Sequence, residues 1–284
     1  MRRVLLDTHQ WNYLVAPDEH PGLGCRLDEV RRAVRSGVIE IVGTLDILQE
    51  LIAAAPRREQ KYRQMADVFF ELSANRLLIP LSRRHPAEAC QGGLLDESNR
   101  YFPRESRRSF KAMAASQREP LEVAEEIYAE AETYRLQEIA AREEIRARMN
   151  DANERLNERS TQAWWDDLEI DDWVAPTVDA GVRRGLYKSE HVEAATFERY
   201  PSAWTFTAYR LARLKIVIGG GEGSKIRASD LADAHHVSCG PYVDLIVSDD
   251  VGLRTAFDLF ADQVAFIVIG AAEFNAEFGL MPPD

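Results

Sequence analysis

Four acidic residues occupy the same kind of position in this chain. Asp7 follows directly on the apolar run of MRRVLLDTHQ, and Glu50 lies in GTLDILQELI, just after a second such run. Asp233 sits early in the helical stretch SDLADAHHVSCG, and Asp250 closes LIVSDD. In an open parallel sheet the ligand crevice lies outside the carboxyl ends of the strands, so acids placed this way can converge although distant in sequence. Carboxylates gathered without a base repel one another and take up protons unless a divalent cation keeps them ionised. Oxygen ligands favour Mg²⁺ or Mn²⁺. Such an ion lowers the pKa of bound water and stabilises the oxygens of a phosphoryl transition state. Phosphodiester hydrolysis is the chemistry this predicts. Asp230 shares a helical face with Asp233, and Asp249 adjoins Asp250; both are secondary metal candidates, Asp249 also as a partner of the ligands. The plainer reading of Asp7 is a cap for the helix that follows it.

The elements needed to position these acids alternate as in an α/β protein. Residues 3–6 read as a buried strand and 10–15 as a short helix. Residues 27–35 are amphipathic and stop at Gly37. Residues 38–43 read as a strand, and Thr44 caps a helix that Pro56 closes. A helix over 61–74 and a strand over 76–81 follow. Residues 82–120, rich in Arg, Ser, Gly and Pro, read as loop with short helices. From 121 to 175 there is no Gly or Pro, and apolar residues recur at helical spacing. The α/β pattern then returns: a helix to about 214, a glycine-rich loop at 219–223, a helix over 228–238, a strand over 243–248, a helix over 252–260 and a strand over 264–269. The expected architecture is a discontinuous α/β domain, residues 1–82 and 205–284, interrupted by a mainly helical insertion over 83–204.

Composition narrows the field. At 284 residues, with 45% apolar and 29% charged residues, the chain is that of an ordinary globular protein. No apolar stretch approaches the length of a membrane span, and no secretory leader is read at the start. Three scattered cysteines suit a reducing compartment, so a cytoplasmic protein without membrane partners is expected. A net charge of −12 argues against nucleic-acid binding until its distribution is considered. Residues 121–172 hold sixteen acidic residues against six arginines, whereas 81–120 hold eight basic against five acidic. The cluster Arg100, Arg104, Arg107, Arg108 and Lys111, with Tyr101, Phe102 and Phe110 among it, could track phosphates while stacking bases. Its plainer reading is a solvated basic face.

The segments VLLDTHQWNYL, TLDILQELI, DLADAHHVSCG and LIVSDD resemble, in that order, the four acidic motifs of the PIN-domain nucleases. The resemblance covers roughly residues 1–82 and 205–270. It implies a three-layer α/β/α fold around a central parallel sheet and a metal-dependent nuclease acting on RNA ahead of DNA. It also implies Asp7, Glu50, Asp233 and Asp250 as catalytic metal ligands, with Thr8 resembling the hydroxyl residue beside the first acid. Many members are ribonuclease toxins of toxin–antitoxin pairs, so an inhibitory partner protein and a homodimer are further implications. The insertion of about 120 residues has no counterpart in the typical toxin. Thr8, His9 and His236 are assigned to substrate binding, together with Arg104, Arg107, Arg108 and Lys111; the plainer reading of the histidines is structural placement. The alternative is a PIN-like scaffold that binds RNA or a partner protein without cutting.

Rival motifs fail on their residues. His9, His235 and His236 lack the HExxH spacing of a zincin, and in GGGEGSK the serine precedes the lysine, the reverse of a P-loop. An aspartyl phosphatase needs a second Asp two residues after the first, where this chain has His9.

Overall fold

Arg2–Leu6 forms strand β1, in which Val4, Leu5 and Leu6 are consecutive buried residues. A run buried on both faces is the mark of a central parallel strand. β1 lies between β2 (Ile39–Thr44) and β4 (Leu245–Val247), with β3 (Leu77–Leu78) and β5 (Ile267–Ile269) at the edges. All four pairings are parallel, Val4 facing Ile41 on one side and Leu245 on the other. A computed structural model describes residues 1–54, 59–73, 76–115, 133, 136, 140, 198, 200–219, 227 and 229–280. The helical reading of 121–175, and with it most of the insertion, lies outside these residues, as does the glycine-rich loop after Gly219.

Parallel neighbours require crossover connections, and these are helical here. From β1 the chain runs through α1 (Thr8–Val15) and α2 (Leu27–Arg35) to β2, then through α3 (Leu45–Ala54) and α4 (Glu59–Ser73) to β3. It returns to the far side of β1 through α8 (Pro201–Gly219) and α9 (Asp230–Val237) into β4, and through α10 (Val251–Asp258) into β5. The winding thus reverses direction between β1 and β4. With the usual right-handed crossovers, this reversal is compatible with a helix layer on each face of the sheet. A switch point of this kind opens a crevice at the carboxyl ends of the two strands.

Packing fixes the elements that border this crevice. Trp11 is fully buried on α1, its Nε1 donates to the Leu6 carbonyl at 3.2 Å, and its ring meets Phe69 of α4 edge-on at 5.1 Å. The turn holding Asp7 is thereby pinned to both β1 and α4. Gly43 lets α4 approach β2 closely: a Cβ there would lie 2.7 Å from Ser73 Oγ. Among the described residues no helix is long and apolar enough to cross a membrane.

Three local expectations change. The strand expected over 76–81 shrinks to Leu77–Leu78, because Pro80 cannot donate to a ladder and instead stands just before the first turn of α5 (Leu81–Gln91). Much of the stretch expected as loop over 82–120 is helical: α5 runs through Pro86 to Gly92 (φ 77°), followed by α6 (Glu97–Arg100) and α7 (Arg104–Ala115). A last helix, α11 (Ala271–Phe278), lies beyond the expected elements; Glu273 closes its start by accepting the Gly270 amide at 2.7 Å, and Gly279 (φ 61°) ends it. The Ala271 amide donates to Asp249 Oδ1 at 2.9 Å, a carboxylate from the end of β4.

Candidate metal centre

Asp7 stands where β1 becomes α1. Its amide donates to the Val247 carbonyl at 3.0 Å, which ties it to the end of β4. Oδ1 accepts the Thr8 amide at 2.6 Å as a helix cap, and Oδ2 accepts the Ser248 hydroxyl at 2.6 Å. The capping reading and the site reading are both realised by one side chain. Ser248 Oγ also accepts the Asp250 amide at 3.2 Å. Asp250 in turn caps α10, accepting the Leu253 amide at 2.9 Å, while its Oδ2 accepts Arg227 Nη1 at 3.3 Å. One serine therefore joins the two acids across the switch point.

The other acids arrive on helices. Thr44 Oγ1 accepts the Ile47 amide at 3.1 Å, capping α3 and orienting Glu50 one turn further along. The Thr8 hydroxyl donates to Glu50 Oε2, so Thr8 holds a carboxylate in place where the sequence suggested a substrate contact. Helix α9 brings Asp233 and His236 to the crevice on one face. His236 is 1% exposed, with Nδ1 3.5 Å from Asp7 Oδ1 and Nε2 3.8 Å from Glu50 Oε1. Donor atoms of Asp7, Glu50 and His236 all lie within 4.8 Å of one another. Burial keeps His236 from the solvent-facing phosphate role expected of it.

The electrostatics are those of crowded acids. Burial pushes the Glu50 carboxyl up, the Asp7 charge adding to it against the pull of His236. Burial pushes Asp233 well above the usual carboxylate range, and the charges of Asp7, Asp250, Glu50 and Asp230 push the same way. The Tyr209 hydroxyl, itself raised by burial and by Asp233, donates to Asp233 Oδ2 at 3.5 Å. For Asp7 burial works upward, but His9, His236 and the Ser248 hydroxyl outweigh it and hold the carboxyl low. The exposed ring of His9 lies 4.0 Å from Asp7 Oδ2, whose carboxylate raises the imidazole pKa.

The remaining candidates separate. Asp230 is committed to the buried Arg213, with Nη2 3.2 Å from Oδ1, and to the Arg227 amide at 3.0 Å. Asp249 is turned away from the cluster, accepting Gln10 Nε2 at 3.0 Å as well as the Ala271 amide. Arg104, Arg107, Arg108 and Lys111 lie on α7, exposed or partly so. Among the described residues no hydrogen bond or ion pair joins them to the acids. The aromatic part of that cluster is core: Tyr101 and Phe102 are buried, and Phe110 packs edge-on against Phe102 at 5.0 Å. Base stacking by these rings is thereby corrected to packing.

Residues missed in the sequence are Ser248, Tyr209, Arg213, Arg227 and Asp46. Asp46 lies one turn before Glu50 and 3.0 Å from His235 Nδ1, an i,i+4 acid pair that helical spacing could have flagged. Tyr209 and Arg213 carry no such signal, because α8 reaches the crevice only through the tertiary fold. No family model, curated protein or solved structure matches the chain.

Proposed function

We propose that this chain is a PIN-like, divalent-metal-dependent nuclease that hydrolyses phosphodiesters, RNA ahead of DNA, in the reducing interior of the cell. The observation that carries the reading is the meeting of Asp7, Glu50 and His236 within 4.8 Å beside Asp233 and Asp250 at the switch point of a parallel sheet. Acids so crowded, with two carboxyls held above their ordinary range, form a site whose charge calls for a cation. Asp7, Glu50, Asp233 and Asp250 would hold the ion. When bound, it activates water and stabilises the charge of phosphoryl transfer. The chain's own groups do the rest. Ser248 and Thr8 fix the orientation of Asp7 and Glu50. The exposed ring of His9, whose pKa the neighbouring Asp7 carboxylate raises, stands where it can donate to a phosphate oxygen, and Arg227 offers a cation beside Asp250.

The test is cleavage of single-stranded and structured RNA and DNA with Mn²⁺ or Mg²⁺ and with EDTA. Cleavage in metal, none in EDTA, and none by Asp7→Asn or Asp250→Asn is the expected result. Both replacements keep a capping side chain, so circular dichroism should be unchanged. Full activity in both variants overturns the mechanism. Neither Mn²⁺ binding nor cleavage by the unmodified protein would identify a non-cutting scaffold.

A further inference from the structure

We infer that His236 is a direct nitrogen ligand of the ion, so that this centre is a mixed nitrogen–oxygen site that prefers Mn²⁺ to Mg²⁺. The inference rests on the metal-centre reading above and sharpens it. The imidazole is 1% exposed, and neither ring nitrogen makes a hydrogen bond. A buried polar group without a partner costs free energy, which is why such groups are rare in folded proteins. Here both nitrogens are aimed at carboxylates and stop short of them, at 3.5 Å from Asp7 Oδ1 and 3.8 Å from Glu50 Oε1. Those gaps exceed a hydrogen bond. One ion can take only one of the two nitrogens, and one of them lies within 4.8 Å of both an Asp7 and a Glu50 oxygen, a spacing that donors at about 2.1 Å from a shared ion reach with a small movement.

The neighbouring histidine supplies a contrast. His235, adjacent on α9, has Nδ1 3.0 Å from Asp46 and its ring against Phe206 at 5.4 Å, an ordinary structural placement. His236 has no carboxylate that close, its neighbours Asp7 and Glu50 standing at 3.5 and 3.8 Å, and it lies on the face of α9 that meets the cluster. Imidazole is a poor ligand for Mg²⁺, which takes oxygen, whereas first-row transition ions accept it readily. The carboxylates around it keep Mn²⁺ within the range of ions the site suits.

Pulsed electron paramagnetic resonance on tag-free, full-length protein loaded with Mn²⁺ tests this directly. A directly bound imidazole gives a ¹⁴N modulation that changes on ¹⁵N-histidine labelling and disappears in His236→Gln. Calorimetry should show Mn²⁺ affinity falling at least about tenfold in His236→Gln, with Mg²⁺ affinity falling less. Mn²⁺ bound without nitrogen modulation in the unmodified protein overturns the ligand role while leaving the carboxylate centre standing. Absence of Mn²⁺ binding in the unmodified protein overturns both. Since the spectroscopic readout needs no variant, a misfolded His236→Gln would not rescue the inference.

Discussion

Two buried polar networks lie in this molecule, and they are built on opposite terms. Beneath α5 and α8, Glu88 is fully buried, yet each carboxylate oxygen has a donor: the Tyr242 hydroxyl at 2.6 Å and the Ser202 amide at 3.1 Å. Fully buried Arg84 stands beside it, donating to Ser238 Oγ at 2.9 Å and lying over the Tyr242 ring at 5.7 Å. Burial raises Glu88, but Ser202, Tyr242 and Arg84 all pull it back. Asp233 in the crevice is raised by burial too, and there every neighbouring acid pushes it further. A network in which donors and a neighbouring positive charge offset the buried carboxylate holds a fold together, even though Arg84 Nε and Nη1 make no hydrogen bond of their own. One with surplus negative charge is stabilised by what it binds.

The largest effects should separate the two. Asp7→Asn is expected to lower metal-dependent cleavage by at least about 100-fold, since even outer partners of a metal are worth that much, with the helix cap kept and only the share of stability that the ionised carboxylate contributes lost. Glu88→Ala should do the reverse. It strands the Tyr242 and Ser202 donors and removes one of the charges that offset Arg84, costing about 1–3 kcal/mol, while activity per folded molecule stays unchanged. Chemical denaturation and active-fraction assays on both variants check the pair. A Glu88 variant that folds normally but fails to cleave would erase the distinction.

How much of this was legible in the sequence follows from how local each cause is. Strands β1, β2 and β4 could be read because apolar runs report burial directly. Asp7 and Asp250 could be read because strand ends followed by helices declare themselves in a few residues. Helix α11 could be read only in part: Glu273 capping the Gly270 amide and Gly279 at its end are local signals, whereas the Asp249 carboxylate that accepts the Ala271 amide, from more than twenty positions earlier, could not be. Nor could the character of Tyr101 and Phe102, which the pairing of Leu78 with Tyr101 turns inward at the sheet edge. His236 was visible as a histidine near an acid. That it faces Asp7 and Glu50 across three elements is a tertiary fact.

A smaller effect tests whether the acids of the crevice repel one another in the absence of a cation. Asp233 and Glu50 have folded-state pKa values raised above the unfolded ones. Their contribution to stability is therefore fully present below the unfolded carboxylate range, about pH 4, and is lost as pH rises through the folded values. Asp7, held low, contributes in the opposite sense: its share is present above the unfolded pKa and lost as pH falls through the folded one. In EDTA at pH 8, Asp233→Asn should thus be more stable than the unmodified protein by about 0.5–2 kcal/mol, with the gain shrinking towards pH 5 and on adding Mn²⁺. Melting curves in which the variant gains nothing at pH 8 would show that the acids are not in mutual repulsion.

The smallest effect concerns the rim. Arg227 is 54% exposed at its side chain, and its 3.3 Å contact with Asp250 is an exposed pair of little energetic weight. Replacing it by Gln should shift stability by less than about 1 kcal/mol. If Arg227 serves a phosphate, the same replacement should raise KM for single-stranded RNA with kcat little changed. It should also reduce the slope of log KM against log salt by about 0.7, the value for one neutralised phosphate on a single strand. Initial rates between 50 and 200 mM salt, a range chosen because such slopes are large there, measure both quantities. An unchanged slope would confine Arg227 to its pairing with Asp250. The boundary between the two kinds of polar network would then run inside the crevice itself, with the binding side reduced to the acids, His9 and His236.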